Sequence, residues 1–209
     1  MKTIFVIGLL AACALGAFAA DSAPANPANS PVPMKNTPEG MDSITLGAGC
    51  FWCTEAIFQQ IPGVVTVSPG YMGGTTVNPT YEQVCTGETG HAEVAHIVFD
   101  PKKTSLEKIL KVFWHAHDPT TLNRQGADHG TQYRSAIFYN TDAQRYIALK
   151  AKAEAAKEFS HPVVTEVTKA GEFYIAENYH QDYYRLNKDK NPYCRIVIAP
   201  KLRKLGLTE

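Results

Sequence analysis

The sequence predicts an α+β fold: a mixed sheet with helices packed on one face, arranged as a ferredoxin-like split β-α-β plait. Three observations support this prediction. Short apolar runs bounded by glycine and proline alternate with helical patterns, and the first three segments read β-α-β. The chain beyond residue 39 has the length of one typical domain. The last stretch, from about Asn187, is predicted to be a long irregular C-terminal segment.

Each predicted element rests on a local pattern of apolar residues. Ser105–His117, for example, has the apolar spacing of an amphipathic helix, with Thr104 or Ser105 as its cap. The predicted strands are Ser43–Gly47, Val64–Ser68, His91–Asp100, Arg134–Tyr139 and Val163–Val167, and the predicted helices are Thr54–Ile61, Ser105–His117, Thr141–Phe159 and Ala176–Leu186. Pro119–Gln132 is a polar loop without a clear element, and loops of that length inside a compact domain are often functional.

The N-terminus has the pattern of an export signal. Residues 1–19 contain an uncharged apolar stretch followed by small residues at Ala17 and Ala19, which predicts a signal peptide cleaved after Ala19. The segment ending at Cys13 also resembles a lipoprotein cleavage box, which would make Cys13 a lipid-bearing N-terminus. The apolar stretch continues past Cys13, which favours ordinary cleavage. We therefore expect an exported, periplasmic protein.

Composition then separates a tether from a folded domain. Residues 20–39 are rich in Ala, Pro, Asn and Ser and have few large apolar side chains, so they are predicted to be a flexible linker. Residues 40–209 are predicted to form the single catalytic domain. This domain is large enough to bury its own core, so its four cysteines are not needed as disulfide staples.

The charge balance argues against two classes of partner. Twenty basic residues match twenty acidic ones, so no basic field points to nucleic acid or to an acidic membrane face. No later stretch is apolar for the ~20 residues that a membrane-spanning helix needs. We expect no nucleic-acid partner and no membrane span.

The most informative motif is Gly47–Cys53, in which two thiols flank Phe51 and Trp52 behind glycines. The helical pattern that follows places Cys50 at a helix N-terminus, where the helix dipole favours a thiolate. Cys50 is therefore a candidate nucleophile. Cys53 lies one turn further along, so the pair can close a redox disulfide.

Other interpretations of this pair remain open at this point. Cys50 and Cys53 are also compatible with a structural disulfide, or with half of a zinc site completed by histidines. A four-ligand zinc site usually shows a second close pair of ligands, which this chain lacks. A general thiol–disulfide oxidoreductase is a further alternative, although Phe51 and Trp52 between the thiols would obstruct a protein disulfide.

A redox thiol also needs an acid and hydrogen-bond donors, and the chain offers candidates for both roles. Glu93 lies just inside a predicted central strand, where burial would raise its pKa and make it a useful acid. Phenolic donors are offered by Tyr81, Tyr133 and Tyr183, each beside a turn or loop. His180 is a further polar candidate near Tyr183.

Taken together, these segments resemble the A-type peptide-methionine sulfoxide reductases over about Thr45–Leu205. The resemblance is carried by four motifs in the family's order: Gly49-Cys50-Phe51-Trp52, Tyr81-Glu82-Gln83-Val84-Cys85-Thr86-Gly87 leading into Thr89-Gly90-His91-Ala92-Glu93, Asp128-His129-Gly130-Thr131-Gln132-Tyr133-Arg134-Ser135, and Tyr179-His180-Gln181-Asp182-Tyr183.

The resemblance implies a mechanism. Cys50 attacks the sulfoxide sulfur while Glu93 protonates the sulfoxide oxygen, and Tyr81 and Tyr133 donate hydrogen bonds to that oxygen. The substrate-binding residues would be Phe51 and Trp52, forming an apolar wall for the methyl group, together with Asp128, His180 and Tyr183. Methionine leaves, and a second thiol condenses with the Cys50 sulfenic acid to give a disulfide.

The resolving thiol is the point where this chain departs from the family's commoner pattern. Many members have glycine at the position of Cys53 and resolve the sulfenic acid with a cysteine near the C-terminus. This chain offers Cys53 and Cys194, and Cys53 is favoured because it lies one helical turn from Cys50. Cys194 precedes an apolar run typical of a packed strand, and a relay through it remains open. Cys85 is predicted to be a buried structural thiol.

The resemblance also implies partners. The substrate would be the S epimer of methionine sulfoxide, free or in oxidised proteins, and the R epimer would not react. The reductant would be a thioredoxin-type dithiol, with no bound cofactor and no metal. We expect a monomer that repairs exported proteins after oxidative stress.

Overall fold

The computed structural model describes residues 31–32 and 37–208. The predicted signal peptide, the lipid site at Cys13 and most of the predicted linker lie outside these residues. Within the described part, no helix is long and apolar enough to cross a membrane.

The described residues form a seven-stranded sheet, a separate two-stranded sheet and six α-helices. The strands are β1 (Pro31–Val32), β2 (Asp42–Ala48), β3 (Val64–Met72), β4 (Ala92–Phe99), β5 (Arg124–Gln125), β6 (Asp128–His129), β7 (Ser135–Tyr139), β8 (Glu166–Lys169) and β9 (Phe173–Ile175). The α-helices are α1 (Phe51–Phe58), α2 (Tyr81–Cys85), α3 (Leu106–Ala116), α4 (Asp142–Ala155), α5 (Tyr183–Asn187) and α6 (Ala199–Lys204). Short 3₁₀ segments occur at Thr131–Tyr133 and Asn178–His180, and a π-helical segment spans Cys194–Ile198.

The sheet is mixed, as predicted. Its spatial order is β1-β9-β3-β4-β2-β7-β8, in which every neighbouring pair is antiparallel except β7 with β8. The central four strands and their two connecting helices follow the chain order β2-α1-β3-β4-α3-β7. The α+β class is therefore confirmed.

The strands alternate between two apolar layers, because successive side chains point to opposite faces of a sheet. On β4, Ala95, Ile97 and Phe99 join the main core, in which α1, α3 and α6 pack against the sheet. Ala92 and Val94 belong to a smaller cluster on the other face, closed by Phe173 of β9. Glu93 of β4 shares the alternation of Ala95 and so lies on the helix-bearing face.

The helix ends follow from local chemistry. The Ser105 side chain accepts from Lys108 N and caps α3, and the Thr141 side chain accepts from Gln144 N and caps α4. Thr80 and Gln83 form a reciprocal capping box at the start of α2. Capping therefore explains why these three helices begin where the structure has them.

Three predicted boundaries in the middle of the chain are corrected by the structure. The strand predicted to stop at Ser68 continues through Pro69 to Met72. This is possible because the Pro69 carbonyl still accepts, from Ala176 N, although proline has no N–H to donate. The polar loop 119–132 contains the β5–β6 hairpin. The strand predicted at Val163–Val167 runs instead from Glu166 to Lys169.

Three predictions in the C-terminal part are also corrected. The last stretch, from about Asn187, is not a long irregular segment, because it contains the π-helical segment and α6. The helix predicted over 176–186 is divided into a 3₁₀ segment and α5, because Asp182 between them has a left-handed backbone. Cys194 does not lie in a strand. It begins a π-helical segment in which Cys194, Ile198 and Leu202 are buried at intervals of four residues, the spacing of one helix face.

Candidate active site

Cys50 lies where β2 passes into α1. Gly49 makes the turn with φ of +85°, and a Cβ at this position would lie 2.6 Å from Cβ of Gln125. Glycine is therefore required both by the backbone conformation and by the close approach of Gln125. Cys50 itself is the N-cap of α1 and is 6% exposed. The predicted position at a helix N-terminus is confirmed.

Glu93 lies next to this helix terminus. It is on β4, 1% exposed, and its Oε2 accepts a hydrogen bond of 3.1 Å from the Phe51 backbone N–H. Burial raises the pKa of Glu93 from its ordinary value of 4.5 to about 8, against the opposing effect of the Phe51 N–H. A carboxyl group with this pKa keeps its proton at neutral pH and can act as a general acid.

The Cys50 thiol differs from what the sequence predicts. Burial raises the pKa of Cys50 well above its ordinary value, and the neighbouring Cys53 and Glu93 raise it further. The Cys50 side chain also makes no capping hydrogen bond to the N–H groups of α1. The direction of the Cys50 pKa is therefore opposite to the lowered pKa that a helix N-terminus alone predicts, and burial is its main cause.

Cys53 carries the more acidic thiol of the pair. Its pKa is lowered to about 7, chiefly because its sulfur accepts a hydrogen bond from Cys50, with Lys201 and Tyr193 also favouring the charged form. The Tyr193 hydroxyl lies 3.9 Å from Cys53 Sγ. Within the pair, the charged form is therefore favoured on Cys53 rather than on Cys50.

The remaining described cysteines occupy different environments. Cys194 is fully buried in the same core cluster as Cys50 and Cys53, and all four described cysteines are free thiols. Burial raises the pKa of Cys194, as does its proximity to Cys53. Cys85 lies exposed at the end of α2, so the prediction that it is a buried structural thiol is wrong.

The two predicted phenolic donors lie near Glu93. Tyr81 begins α2 and Tyr133 ends a 3₁₀ turn, so each comes from a different connection. For both phenols burial is the main cause of a raised pKa, and the Glu93 carboxyl is the next. Each phenol therefore keeps its proton and can donate a hydrogen bond close to Glu93.

The predicted apolar wall is a stack of rings. The Trp52 indole lies parallel to the Tyr183 ring, with centroids 3.7 Å apart and an interplanar angle of 6°. Phe51 is buried and packs against the Tyr81 and His180 rings at 6.3 and 4.9 Å. The Tyr183 ring therefore covers one face of the Trp52 indole, and the Trp52 side chain is partly exposed.

His180 lies behind this wall. It is 1% exposed, and its Nδ1 accepts a hydrogen bond of 3.0 Å from Trp52 Nε1. Because an indole can only donate, Nδ1 is the unprotonated nitrogen and Nε2 carries the hydrogen. Burial lowers the pKa of His180 to about 4, so the ring is neutral at pH 7. The structure therefore places His180 as the support of Trp52.

Asp128 is joined to the C-terminal segment. Its Oδ2 accepts a hydrogen bond of 2.8 Å from the Tyr193 hydroxyl, the same hydroxyl that lies near Cys53. Sequence reasoning did not identify Tyr193 as a site residue, although its position directly before Cys194 was a signal. Lys201 was also missed, and nothing local in the sequence connects it to Cys53, because that proximity is created by the packing of α6 on α1.

The lining of an open cavity of about 440 Å³ includes His117, Gln125 and Lys201. His117 is fully hydrogen-bonded there, to the Phe113 carbonyl and the Ser135 hydroxyl. Among residues 37–208, no cluster of three or more His, Cys, Asp or Glu side chains could hold a metal ion.

A buried thiol pair at a helix N-terminus, beside a carboxyl group that keeps its proton, defines a thiol-dependent oxidoreductase. The family model for peptide methionine sulfoxide reductase matches residues 42–208. The chain belongs to this family, and it is a peptide-methionine sulfoxide reductase.

Individual relatives agree with this assignment. The chain is 52% identical over 180 residues to peptide methionine sulfoxide reductase MsrA 1 of Rhodopirellula baltica, covering 86% of this chain and 93% of the relative. It is similar to Mxr1 from Saccharomyces cerevisiae in reduced form, with a TM-score of 0.70, 35% identity, and coverage of 75% of this chain and 91% of that one. Mxr1 in complex with Trx2 matches with a TM-score of 0.51 and 26% identity, over 70% and 86% of the two chains.

Proposed function

We propose that this enzyme reduces the S epimer of methionine sulfoxide, free or within oxidised proteins, using Cys50 as nucleophile and Glu93 as acid. The observation that carries the proposal is the buried Glu93 carboxyl group, hydrogen-bonded to the first backbone N–H of the helix that Cys50 caps. A nucleophile and a protonated acid are thus supplied from two neighbouring elements. This is the pairing needed to attack a sulfoxide sulfur while its oxygen is protonated.

In the first step, Cys50 Sγ attacks the sulfoxide sulfur and Glu93 gives its proton to the sulfoxide oxygen. The Cys53 thiolate accepts a hydrogen bond from Cys50 and is placed to take the Cys50 proton as the attack proceeds. The oxygen then passes to Cys50, which becomes a sulfenic acid, and methionine is released. Sulfur of the substrate is reduced by two electrons, and Cys50 is oxidised by two.

The neighbouring residues give this step its direction and selectivity. Tyr81 and Tyr133 donate to the sulfoxide oxygen, and the wall of Phe51, Trp52 and Tyr183 holds the methyl group. A wall on one side of the attacked sulfur distinguishes the two epimers. Asp128 orients the C-terminal segment through Tyr193.

The sulfenic acid is resolved in the second step. Cys53 Sγ attacks Cys50 Sγ, a disulfide forms, and the oxygen leaves as water. The low pKa of Cys53 and its place on the same helix turn favour it as the resolving thiol. Cys194 lies in the same core cluster, so a relay that carries the disulfide from Cys53 to Cys194 stays available.

A thioredoxin-type dithiol is the reductant that we propose for this disulfide. The support is the likeness to Mxr1, whose structure in complex with Trx2 shows that a protein of this fold meets such a partner. We propose in addition that the enzyme is exported, acts as a monomer, needs no bound cofactor and repairs exported proteins. The pattern of residues 1–19 supports export.

We interpret the central four strands as a split β-α-β plait. The support is the chain order β2-α1-β3-β4-α3-β7 together with the spatial order β3-β4-β2-β7, all antiparallel.

The test is a single turnover of the pre-reduced protein with resolved methionine S-sulfoxide, followed by peptide mapping of the disulfide. We expect one equivalent of methionine and a Cys50–Cys53 bond. A Cys50–Cys194 bond would keep the reaction and overturn the choice of resolving thiol. No methionine, or equal rates with the R epimer, would contradict the proposed chemistry.

A further inference from the structure

Three buried carboxyl groups surround the site, and each accepts the backbone N–H of an aromatic residue of that site. Glu93 accepts from Phe51, as described above. Glu177 Oε1 accepts from Tyr81 N at 2.9 Å, and Glu55 Oε2 accepts from Tyr183 N at 3.0 Å. Only Glu93 has a role in the proposed chemistry, which leaves two buried acids without one.

From this arrangement, and on the basis of the proposed function, we infer that Glu55 and Glu177 are positioning residues: Glu55 holds Tyr183 in the substrate wall, and Glu177 holds Tyr81 beside the sulfoxide oxygen. Neither carboxyl group is placed to touch the reacting atoms. Each acts through the backbone of the residue that does.

Glu55 fixes a strained turn. It is 1% exposed on α1, and its Oε1 also accepts a hydrogen bond of 2.7 Å from Asp182 N. Asp182 has φ of +53°, a left-handed conformation that is unfavourable for a residue other than glycine. Gln59, the C-cap residue of α1, donates to Asp182 Oδ1 at 2.9 Å. One side chain of α1 and that of its C-cap residue thus hold the turn that presents the Tyr183 ring to Trp52.

Burial of the Glu55 carboxyl group is unfavourable in itself. It raises the pKa of Glu55 to about 7, while the two backbone N–H donors and Arg185 oppose that rise. A hydrophobic side chain at position 55 would fill the same space without the unfavourable burial of a carboxyl group. Stacking at 3.7 Å between Trp52 and Tyr183 is the feature that the carboxylate secures.

Glu177 joins two tyrosines and the support of Trp52. Its Oε2 accepts a hydrogen bond of 2.8 Å from the buried Tyr71 hydroxyl, while Oε1 holds Tyr81 N. The same Oε2 lies 3.9 Å from His180 Nε2, the protonated nitrogen of the ring that accepts from Trp52. Glu177 therefore fixes the N-terminus of α2, where the phenolic donor Tyr81 begins.

The two residues should affect different kinetic constants, because they hold different parts of the site. Tyr183 belongs to the wall that binds substrate, so Glu55→Gln should raise KM by about tenfold and change kcat by less than about threefold. Tyr81 stabilises charge on the oxygen during the reaction, so Glu177→Leu, which removes both acceptors, should lower kcat by about tenfold or more and change KM less. In Glu55→Gln the amide –NH₂ must face one of two backbone N–H donors and loses that hydrogen bond. Glu177→Gln can instead donate its –NH₂ to the Tyr71 hydroxyl and still accept from Tyr81 N, so it should stay near wild type.

The experiment is steady-state reduction of methionine S-sulfoxide by the full-length enzyme with a dithiol, comparing wild type with Glu55→Gln and Glu177→Leu, and with Glu177→Gln as the conservative variant that should restore activity. Glu82→Gln, an exposed acid on α2, is the matched control and should leave both constants unchanged. Parallel falls in kcat and rises in KM for Glu55→Gln and Glu177→Leu, or no change in either, would overturn the inference. Inactive wild-type protein would instead contradict the proposed function.

A double-mutant cycle distinguishes an effect of Glu55 that acts through Tyr183 from a general effect on the structure. If Glu55 acts through Tyr183, then Tyr183→Ala should raise KM as Glu55→Gln does, and the double variant should be little worse than either single variant. Additive losses would show that Glu55 acts elsewhere and overturn its assignment. Should Glu55→Gln fail to fold, Gln59→Ala removes the second tie to Asp182 and should raise KM in the same direction, and an unchanged KM would count against the inference.

Discussion

Glu93 shows how one residue can serve catalysis at a cost in stability. Its carboxyl group is removed from water beneath the N-terminus of α1, with one backbone N–H as its hydrogen-bond partner. That environment holds its pKa near 8, and so keeps the proton that the reaction consumes. The same environment makes the ionised form unfavourable, so the residue affects both the pH dependence of the rate and that of folding.

The first prediction concerns the rate of the first turnover. Because Glu93 must be protonated, methionine release should fall above about pH 8 as the carboxyl group ionises. Glu93→Gln cannot supply this proton and should be slower by about 100-fold or more. Rapid-quench measurement of methionine from about pH 6 to pH 10 tests this, with Glu82→Gln as control. A falling limb retained in Glu93→Gln would show that another group is the acid.

The second prediction concerns folding. The pKa of Glu93 is higher in the folded than in the unfolded chain, so between pH 4.5 and about 8 the folded state binds the extra proton and stability falls as pH rises. Glu93→Gln removes this loss. Its free energy of unfolding relative to wild type should therefore increase from pH 5 to pH 9, by on the order of 4 kcal/mol at most. Urea unfolding at the two pH values measures it, and a constant difference would contradict the assigned pKa.

For individual residues, the sequence predicted where the functional side chains lie better than it predicted their pKa values. Cys50 and Glu93 were found because short motifs specify their backbone setting. The pKa of Cys50 was predicted in the wrong direction, since burial depends on what the rest of the chain lays over the thiol. Tyr193 and Lys201 reach Cys53 only through tertiary packing, which no local pattern reports.

Among the elements, the C-terminal segment was the most misleading. Ile196-Val197-Ile198-Ala199 has the composition of a strand, but burial there follows intervals of four residues, and Ile196 is 74% exposed. Short apolar runs cannot be assigned to strand or helix from periodicity alone. The helical outcome matters, because it directs Cys194 into the core against α1.

The third prediction follows from that arrangement of elements. Cys53 shares α1 with Cys50, whereas Cys194 comes from a separate segment, so Cys53→Ser should keep the first methionine but lose dithiol-dependent turnover by about tenfold or more. Cys194→Ser should remain within about threefold of wild type. Burst size and steady-state rate with the dithiol reductant measure both effects. The reverse pattern, with Cys194→Ser inactive in turnover, would assign resolution to Cys194.

The whole sheet could be predicted only in class. The sequence of elements along the chain is readable from periodicity, and α+β followed from it. The spatial order β1-β9-β3-β4-β2-β7-β8 places the late strand β9 between β1 and β3 and puts β8 at the opposite edge, and it depends on contacts between residues far apart in sequence. Ala176 N bonding to the Pro69 carbonyl is one such contact, and it also explains why β3 continues past its proline.

The fourth prediction uses the stability of the whole molecule to report which disulfide forms. In the loop-entropy description, a Cys50–Cys53 bond closes about 4 residues and stabilises by about 2 kcal/mol, whereas a Cys50–Cys194 bond closes about 145 and stabilises by about 5 kcal/mol. In a domain of this size each kcal/mol raises Tm by about 2–4 °C. Protein oxidised by one equivalent of methionine S-sulfoxide should therefore melt no more than about 8 °C above the reduced protein. Cys194→Ser should show the same increase on oxidation, because its disulfide is unchanged. An increase of 10 °C or more that disappears in Cys194→Ser would mean that the disulfide has moved onto the C-terminal segment.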